Sequence, residues 1–220
     1  AEPHDHVLAR TRVTRRLARV LIGHTEARVY FNPDVPGRAA QMPQILSKSG
    51  VPYMVMSRYH EGLYRWASPD GSSVLTYSPG HYGNAAAYLN APPAEGAKAI
   101  LEKLAKWKGT YASRGLPPQY PLLNSVDFSQ PTDFGALISH WNSGGPKAGP
   151  DATVMRYSTA RRFFESIDVK SAKLETLSGE RPGLWLFIHG PTHHWAISAE
   201  REASRLLPAA EAASSGPLPV

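Results

Sequence analysis

Apolar positions along this chain come in short blocks whose period switches between the helical and the extended pattern. Val13, Leu17, Val20 and Leu21 sit at i, i+4, i+7 and i+8, which predicts an amphipathic helix over about 7–22. Compact apolar runs at 27–31, 53–56 and 73–77 predict buried strands. Between the first two runs, 40–48 has helical spacing with Met42, Ile45 and Leu46 inward. Gly50 then stands where a helix-ending glycine belongs. Between the second and third runs, Ser68-Pro-Asp-Gly-Ser72 has the composition of a turn.

The alternation continues to the end of the sequence. Helices are predicted over 97–107, with Ile100, Leu101 and Leu104 on one face, and after a cap at Thr132 or Asp133, with Phe134, Leu137, Ile138 and Trp141 inward. Ser158 caps a further helix that turns Ala160, Phe163, Phe164 and Ile167 inward. A last helix over 199–213 gathers Ala203, Leu206, Leu207 and Ala210, with Pro208 implying a kink or a shortened end. Strands are predicted at 121–126, 153–157 and 184–188, and 143–149 reads as a loop. Strands alternating with helices predict an α/β fold with a mainly parallel sheet and covering helices.

Composition supports a packed domain. The 220 residues are 42% hydrophobic and 19% charged, which is enough apolar matter for a core. No apolar run approaches the ~20 residues of a membrane span. Cysteine is absent, which excludes disulfides, thiolate catalysis and cysteine zinc sites but leaves the compartment open. The net charge is +6, with Arg10, Arg12, Arg15, Arg16 and Arg19 close together. These arginines lie largely off the apolar stripe and no aromatics interleave with them. They read as a solvated helix face, or a surface that meets another part of a longer protein, rather than a nucleic-acid site.

Candidate chemistry gathers at predicted strand ends. Asp34 leaves the first strand among Pro33, Pro36 and Gly37, in a turn that the prolines stiffen. Arg58 follows the second strand, Tyr77 and His81 end the third, Asp127 follows the fourth and His189 the last. In α/β sheets and barrels, ligand-binding groups collect beyond the carboxyl ends of strands. A shared site is expected there, against the plainer reading that Asp34 only caps a helix or fixes a turn.

The order of these segments resembles the catalytic domain of family 38 glycoside hydrolases, the α-mannosidases. Asp34, then a short Gly-containing turn and Met42-Pro43, resembles the family's nucleophile segment. Arg58 in Met-Ser-Arg-Tyr-His, 24 residues later, resembles its active-site arginine. Trp66-Ala-Ser-Pro-Asp-Gly-Ser, Asn124-Ser-Val-Asp127 before Pro131-Thr132, and Leu184-Trp-Leu-Phe-Ile-His189-Gly190 resemble later segments in the same order. Arg201-Glu-Ala, Leu206-Leu207 and Ala210-Glu211 resemble the helix that leads into the family's helical bundle.

The resemblance implies a partial, distorted α/β barrel over 1–190, with 191–220 beginning a helical region. It implies a retaining glycosidase acting on an α-mannoside or related glycan. Asp34 would be nucleophile and zinc ligand, Asp127 the candidate acid, and Arg58, Tyr77, His81 and His189 would line the sugar site. Zinc is implied as the cofactor, but the family's upstream His-x-Asp pair and later histidine have no match here, and His4-Asp5-His6 lacks a preceding strand. His189, His193 and His194 cluster without a carboxylate and read as hydrogen-bonding or sugar-contacting groups. After Asp34, Val-Pro-Gly-Arg replaces the aromatic and Gly-His of many members. This suggests a divergent bacterial branch and leaves the sugar specificity open. With the ligand segments unmatched, the chain also reads as an internal piece of a longer enzyme. The rival reading is a non-catalytic carbohydrate-binding or scaffold protein on the same barrel.

Overall fold

The computed structural model describes residues 27–34, 37–114, 116, 119–125, 127, 130–144, 153–181 and 194–214. The helix expected over 7–22 and the strand expected over 184–188, with His189 beyond it, lie outside the described residues. The chain divides into two compact units. Among the described residues, one holds 27–34 and 40–179, and the other holds 37–39, 180–181 and 194–214.

The larger unit is built on a five-stranded sheet. Its strands are β1 (Val29–Asn32), β2 (Tyr53–Met56), β3 (Gly62–Ala67), β4 (Ser73–Ser78) and β5 (Glu175–Leu177). They lie in the order β1-β2-β4-β3-β5. β1, β2 and β4 run parallel, with Val29 opposite Tyr53 and Tyr53 opposite Leu75. β3 and β4 form an antiparallel hairpin, with Gly62 opposite Ser78, and β5 pairs parallel to β3. The sheet is therefore mostly parallel, as expected, with one antiparallel pairing in it.

Period-two alternation splits the strands between two cores. Val55, Leu63, Leu75 and Tyr77 face Phe163, Phe164 and Ile167 on one side, while Met54, Met56, Tyr64, Trp66 and Val74 face Leu46 and Val51 on the other. The helices of this unit are α1 (Met42–Lys48), α2 (Ala86–Leu89), α3 (Pro93–Ser113), α4 (Gly135–Asn142) and α5 (Ala160–Glu165). Gly50 has φ of 74° just past α1, the left-handed conformation that ends a helix most easily with glycine. Thr159, rather than Ser158, caps α5, accepting from the Arg162 N–H at 3.2 Å.

Three expectations change. β3 was legible only as an aromatic stretch before a turn. Both of its faces are mostly buried, so no alternation of polar and apolar residues marks it. The segments expected as strands at 121–126 and 153–157 are irregular over their described residues. Their backbones bond to other groups instead of to a strand. Asn142 Oδ1 accepts from Met155 N at 3.1 Å, the Trp141 indole donates to Thr153 O at 2.9 Å, and Ser125 N donates to Tyr82 O at 3.3 Å.

In the smaller unit, Arg38 and Arg181 exchange two backbone hydrogen bonds, of 2.6 and 2.8 Å. Its helix α6 (His194–Ser214) starts earlier than the pattern predicts and runs through Pro208. Among the described residues, no helix is long and apolar enough to cross a membrane.

Candidate active site

Because β1, β2 and β4 are adjacent and parallel, their carboxyl ends lie side by side on one edge of the sheet. Three of the loops that leave this edge carry the expected residues. Asp34 stands two residues past β1, Arg58 two past β2, and His81 three past β4.

The Arg58 guanidinium reaches back to the β1 loop. Its Nη2 lies 2.7 Å from Asp34 Oδ1, and its Nε donates to the Asp34 backbone oxygen at 3.3 Å. One donor on the carboxylate and a second on the same residue's backbone oxygen fix the direction in which the Asp34 side chain is held. Arg58 has φ of 63°, a conformation that L-residues adopt at a cost of about 1–3 kcal/mol. Its N–H donates to Gly80 O at 2.8 Å, and Ser78 Oγ donates to Tyr59 O at 3.1 Å, so the β2 and β4 loops brace each other.

Asp127 joins this group without a strand to carry it. Tyr82, in the β4 loop, donates its hydroxyl to Asp127 Oδ2 at 3.2 Å. The Arg58 guanidinium carbon lies 5.1 Å from the centre of the same tyrosine ring. Burial pushes the Tyr82 hydroxyl above its ordinary range. The bond to Asp127 and the negative charges of Asp127 and Asp34 add to this, and Arg58 opposes it. The hydroxyl therefore keeps its proton at neutral pH and acts as a donor. The exposed His81 ring stacks on Tyr82 at 4.4 Å, and its Nδ1 accepts from Gly83 N at 3.0 Å.

Asp34, Arg58, His81 and Asp127 are thus brought together through Tyr82. Tyr77 is not among them. It is 1% exposed, packs edge-on against Phe163, and donates its hydroxyl to Pro121 O at 3.4 Å. The side chain expected to meet sugar is a core ring, because the last residues of β4 point into the sheet's own packing. Tyr82 itself escaped the sequence reading. Its signal was an aromatic between Gly80 and Gly83, directly beyond a strand.

Glu61, just before β3, is a further carboxylate at this edge. It is committed elsewhere: Lys103 Nζ lies 2.7 Å from its Oε2, and the Tyr120 hydroxyl donates to Oε1 at 2.5 Å.

The model of the glycosyl hydrolases family 38 N-terminal domain matches residues 13–195. The chain belongs to glycosyl hydrolase family 38. Two solved structures share the fold. One is an α-mannosidase from Enterococcus faecalis V583, with TM-score 0.58 and 18% identity over 81% of this chain and 20% of that one. The other is a glycosyl hydrolase family 38 protein from Enterococcus faecalis, with TM-score 0.52 and 17% identity over 74% of this chain and 16% of that one. The chain thus spans about a fifth or less of the length of these two proteins. No curated protein sequence matches it significantly.

For a family 38 chain, the donor set for zinc is a direct question. Among the described residues, no three histidine, aspartate or glutamate side chains group so as to hold a metal ion. Asp34 is the one ligand that the family resemblance assigns, and one carboxylate does not make a zinc site. The described residues by themselves do not fit the metal.

Proposed function

We propose that this chain carries part of the catalytic domain of a retaining, α-mannosidase-like glycoside hydrolase, with Asp34 as nucleophile and Asp127 as acid and base. The observation that carries the reading is the Arg58 fork on Asp34, held at the carboxyl ends of parallel strands beside a second carboxylate. In this reading the sheet is one arc of a distorted barrel, and 191–220 begins a helical region. Zinc belongs to the intact enzyme, with ligands beyond the described residues.

The chemistry follows from the pair. The Asp34 carboxylate attacks the anomeric carbon while the bond to the leaving oxygen breaks. The bonding electron pair goes to that oxygen, and the proton comes from Asp127. Water then attacks the same carbon, Asp127 takes a proton from it, and the bond to Asp34 breaks, freeing the carboxylate. Two displacements return the original anomeric configuration. Such pairs work at a separation of ~5–5.5 Å. Arg58 keeps one oxygen of Asp34 occupied, which leaves the other to attack. His81, which is exposed, would meet sugar hydroxyls in this reading, and His189 is assigned the same role.

Hydrolysis of an aryl α-mannoside by the full-length enzyme tests this. Asp34→Ala is expected to reduce turnover to background, and near-normal turnover would refute the nucleophile assignment. A full-length protein that binds the mannoside without cleaving it would be a carbohydrate-binding protein instead.

A further inference from the structure

We propose that Tyr82 is a positioning residue that holds both members of the carboxylate pair: its hydroxyl aims Asp127, and its ring face steadies the guanidinium that grips Asp34. The inference rests on the reading of the pair given above.

Asp127 is exposed and sits on an irregular segment, so no strand fixes its direction. The Tyr82 hydroxyl, 3.2 Å from Oδ2, supplies that direction. The tyrosine is itself well fixed. It is 9% exposed, and its ring stacks on His81 at 4.4 Å with 23° between the planes. Its carbonyl accepts from Ser125 N at 3.3 Å, which ties the β4 loop to the segment bearing Asp127. The approach is close at Gly83, where a Cβ would come within 3.2 Å of Ser125 O.

On its other side, Tyr82 reaches the nucleophile indirectly. Arg58 Cζ stands 5.1 Å from the ring centre, within the range at which an aromatic face attracts a cation. Arg58 in turn holds Asp34. One ring therefore sets two carboxylates against each other. A hydroxyl fixed on one oxygen of Asp127 leaves its other oxygen to carry the transferable proton. With that anchor removed, Asp127 samples other rotamers, and the cost falls on substrates that need protonation to leave.

This gives a test that a merely structural residue would fail. In the full-length enzyme, kcat/KM is measured for methyl α-mannoside, whose leaving group needs the acid, and for dinitrophenyl α-mannoside, whose leaving group does not. Tyr82→Phe keeps the ring and removes the hydroxyl. It is expected to lose about 10- to 100-fold on the methyl substrate, the scale of a hydrogen bond to a charged group, and to stay within about threefold of wild type on the activated one. Tyr82→Leu, which also removes the ring face, is expected to lose activity on both. An equal loss on both substrates for Tyr82→Phe, or no loss on either, overturns the positioning role and leaves the proposed reaction standing. Asp34→Ala separates the two claims. If that variant still cleaves the activated substrate, the underlying reaction is wrong and the role of Tyr82 falls with it.

Discussion

Arg58 carries a backbone cost that its own hydrogen bonds offset. Its φ of 63° is uncommon for a non-glycine residue, yet this conformation turns the side chain from the end of β2 back over the β1 loop. The compensation is local: a backbone bond to Gly80 and two donors on Asp34. A lysine keeps the charge but has no planar fork. Arg58→Lys is therefore expected to lower kcat/KM of the full-length enzyme by about 10- to 100-fold, the worth of a charge-assisted hydrogen bond. Its thermal midpoint should stay within a few degrees of wild type. Unchanged kcat/KM would mean that Arg58 only braces the loop. Sequence spacing singled out Asp34, Arg58 and His81 from strand ends that the structure keeps, and Asp127 from an expected strand at 121–126 whose described residues are irregular. It misplaced Tyr77 and missed Tyr82, five residues later. An aromatic at the end of a strand and one just beyond it look alike until packing decides which faces the core.

At the scale of elements, close packing of helices makes the sharpest demand. Gly96 lies in the first turn of α3, where α2 passes against it. A Cβ there would collide with the Tyr88 carbonyl oxygen, a backbone atom that cannot swing aside. Gly96→Ala is expected to destabilise by about 1–3 kcal/mol, the range of core overpacking, which thermal melting would register as a drop of several degrees. Gly109 on the same helix is the control. Nothing lies within 4 Å of its added Cβ, so Gly109→Ala should stabilise slightly, by up to ~1 kcal/mol of helix propensity. Equal effects at the two positions would show that α2 and α3 do not pack as described. The β3–β4 hairpin makes a related point. Its turn, Ser68–Ser72, was legible from composition, but the strand entering it was not, because Leu63, Tyr64 and Trp66 are all buried.

On the whole-molecule scale, the family is established and the chain spans only part of the length of the proteins it resembles in fold. The chain spans 20% of the Enterococcus faecalis α-mannosidase it resembles in fold. Among the described residues, the donors that could hold a metal do not reach three in one place. Zinc added to this chain alone is accordingly expected to bind weakly, since stable sites use three or four protein ligands. Calorimetry on the metal-free chain at neutral pH checks it. Tight one-to-one binding that survives Asp34→Ala would transfer the metal to the histidines near His189 and His194, and would remove Asp34 from the ligand set.

The sequence by itself determined the class of fold, parallel strands close to where apolar runs at 27–31, 53–56 and 73–77 predict them, and the carboxylate and arginine at the ends of the first two. Those features rest on local chemistry: apolar runs, glycines that permit positive φ, and proline-stiffened turns. Tertiary structure decided three things that local chemistry does not carry. It turned 121–125 and 153–157 into irregular segments, because side chains of Asn142 and Trp141 and the backbone of Tyr82 took hydrogen bonds that a neighbouring strand would otherwise supply. It inserted β3 antiparallel against β4, since a hairpin closes with a short turn whereas a parallel partner needs a crossover. It also set the Tyr82 ring beside Arg58 and its hydroxyl on Asp127, 45 residues further along the chain. That last arrangement depends on distance in space, which periodicity and turn chemistry do not encode.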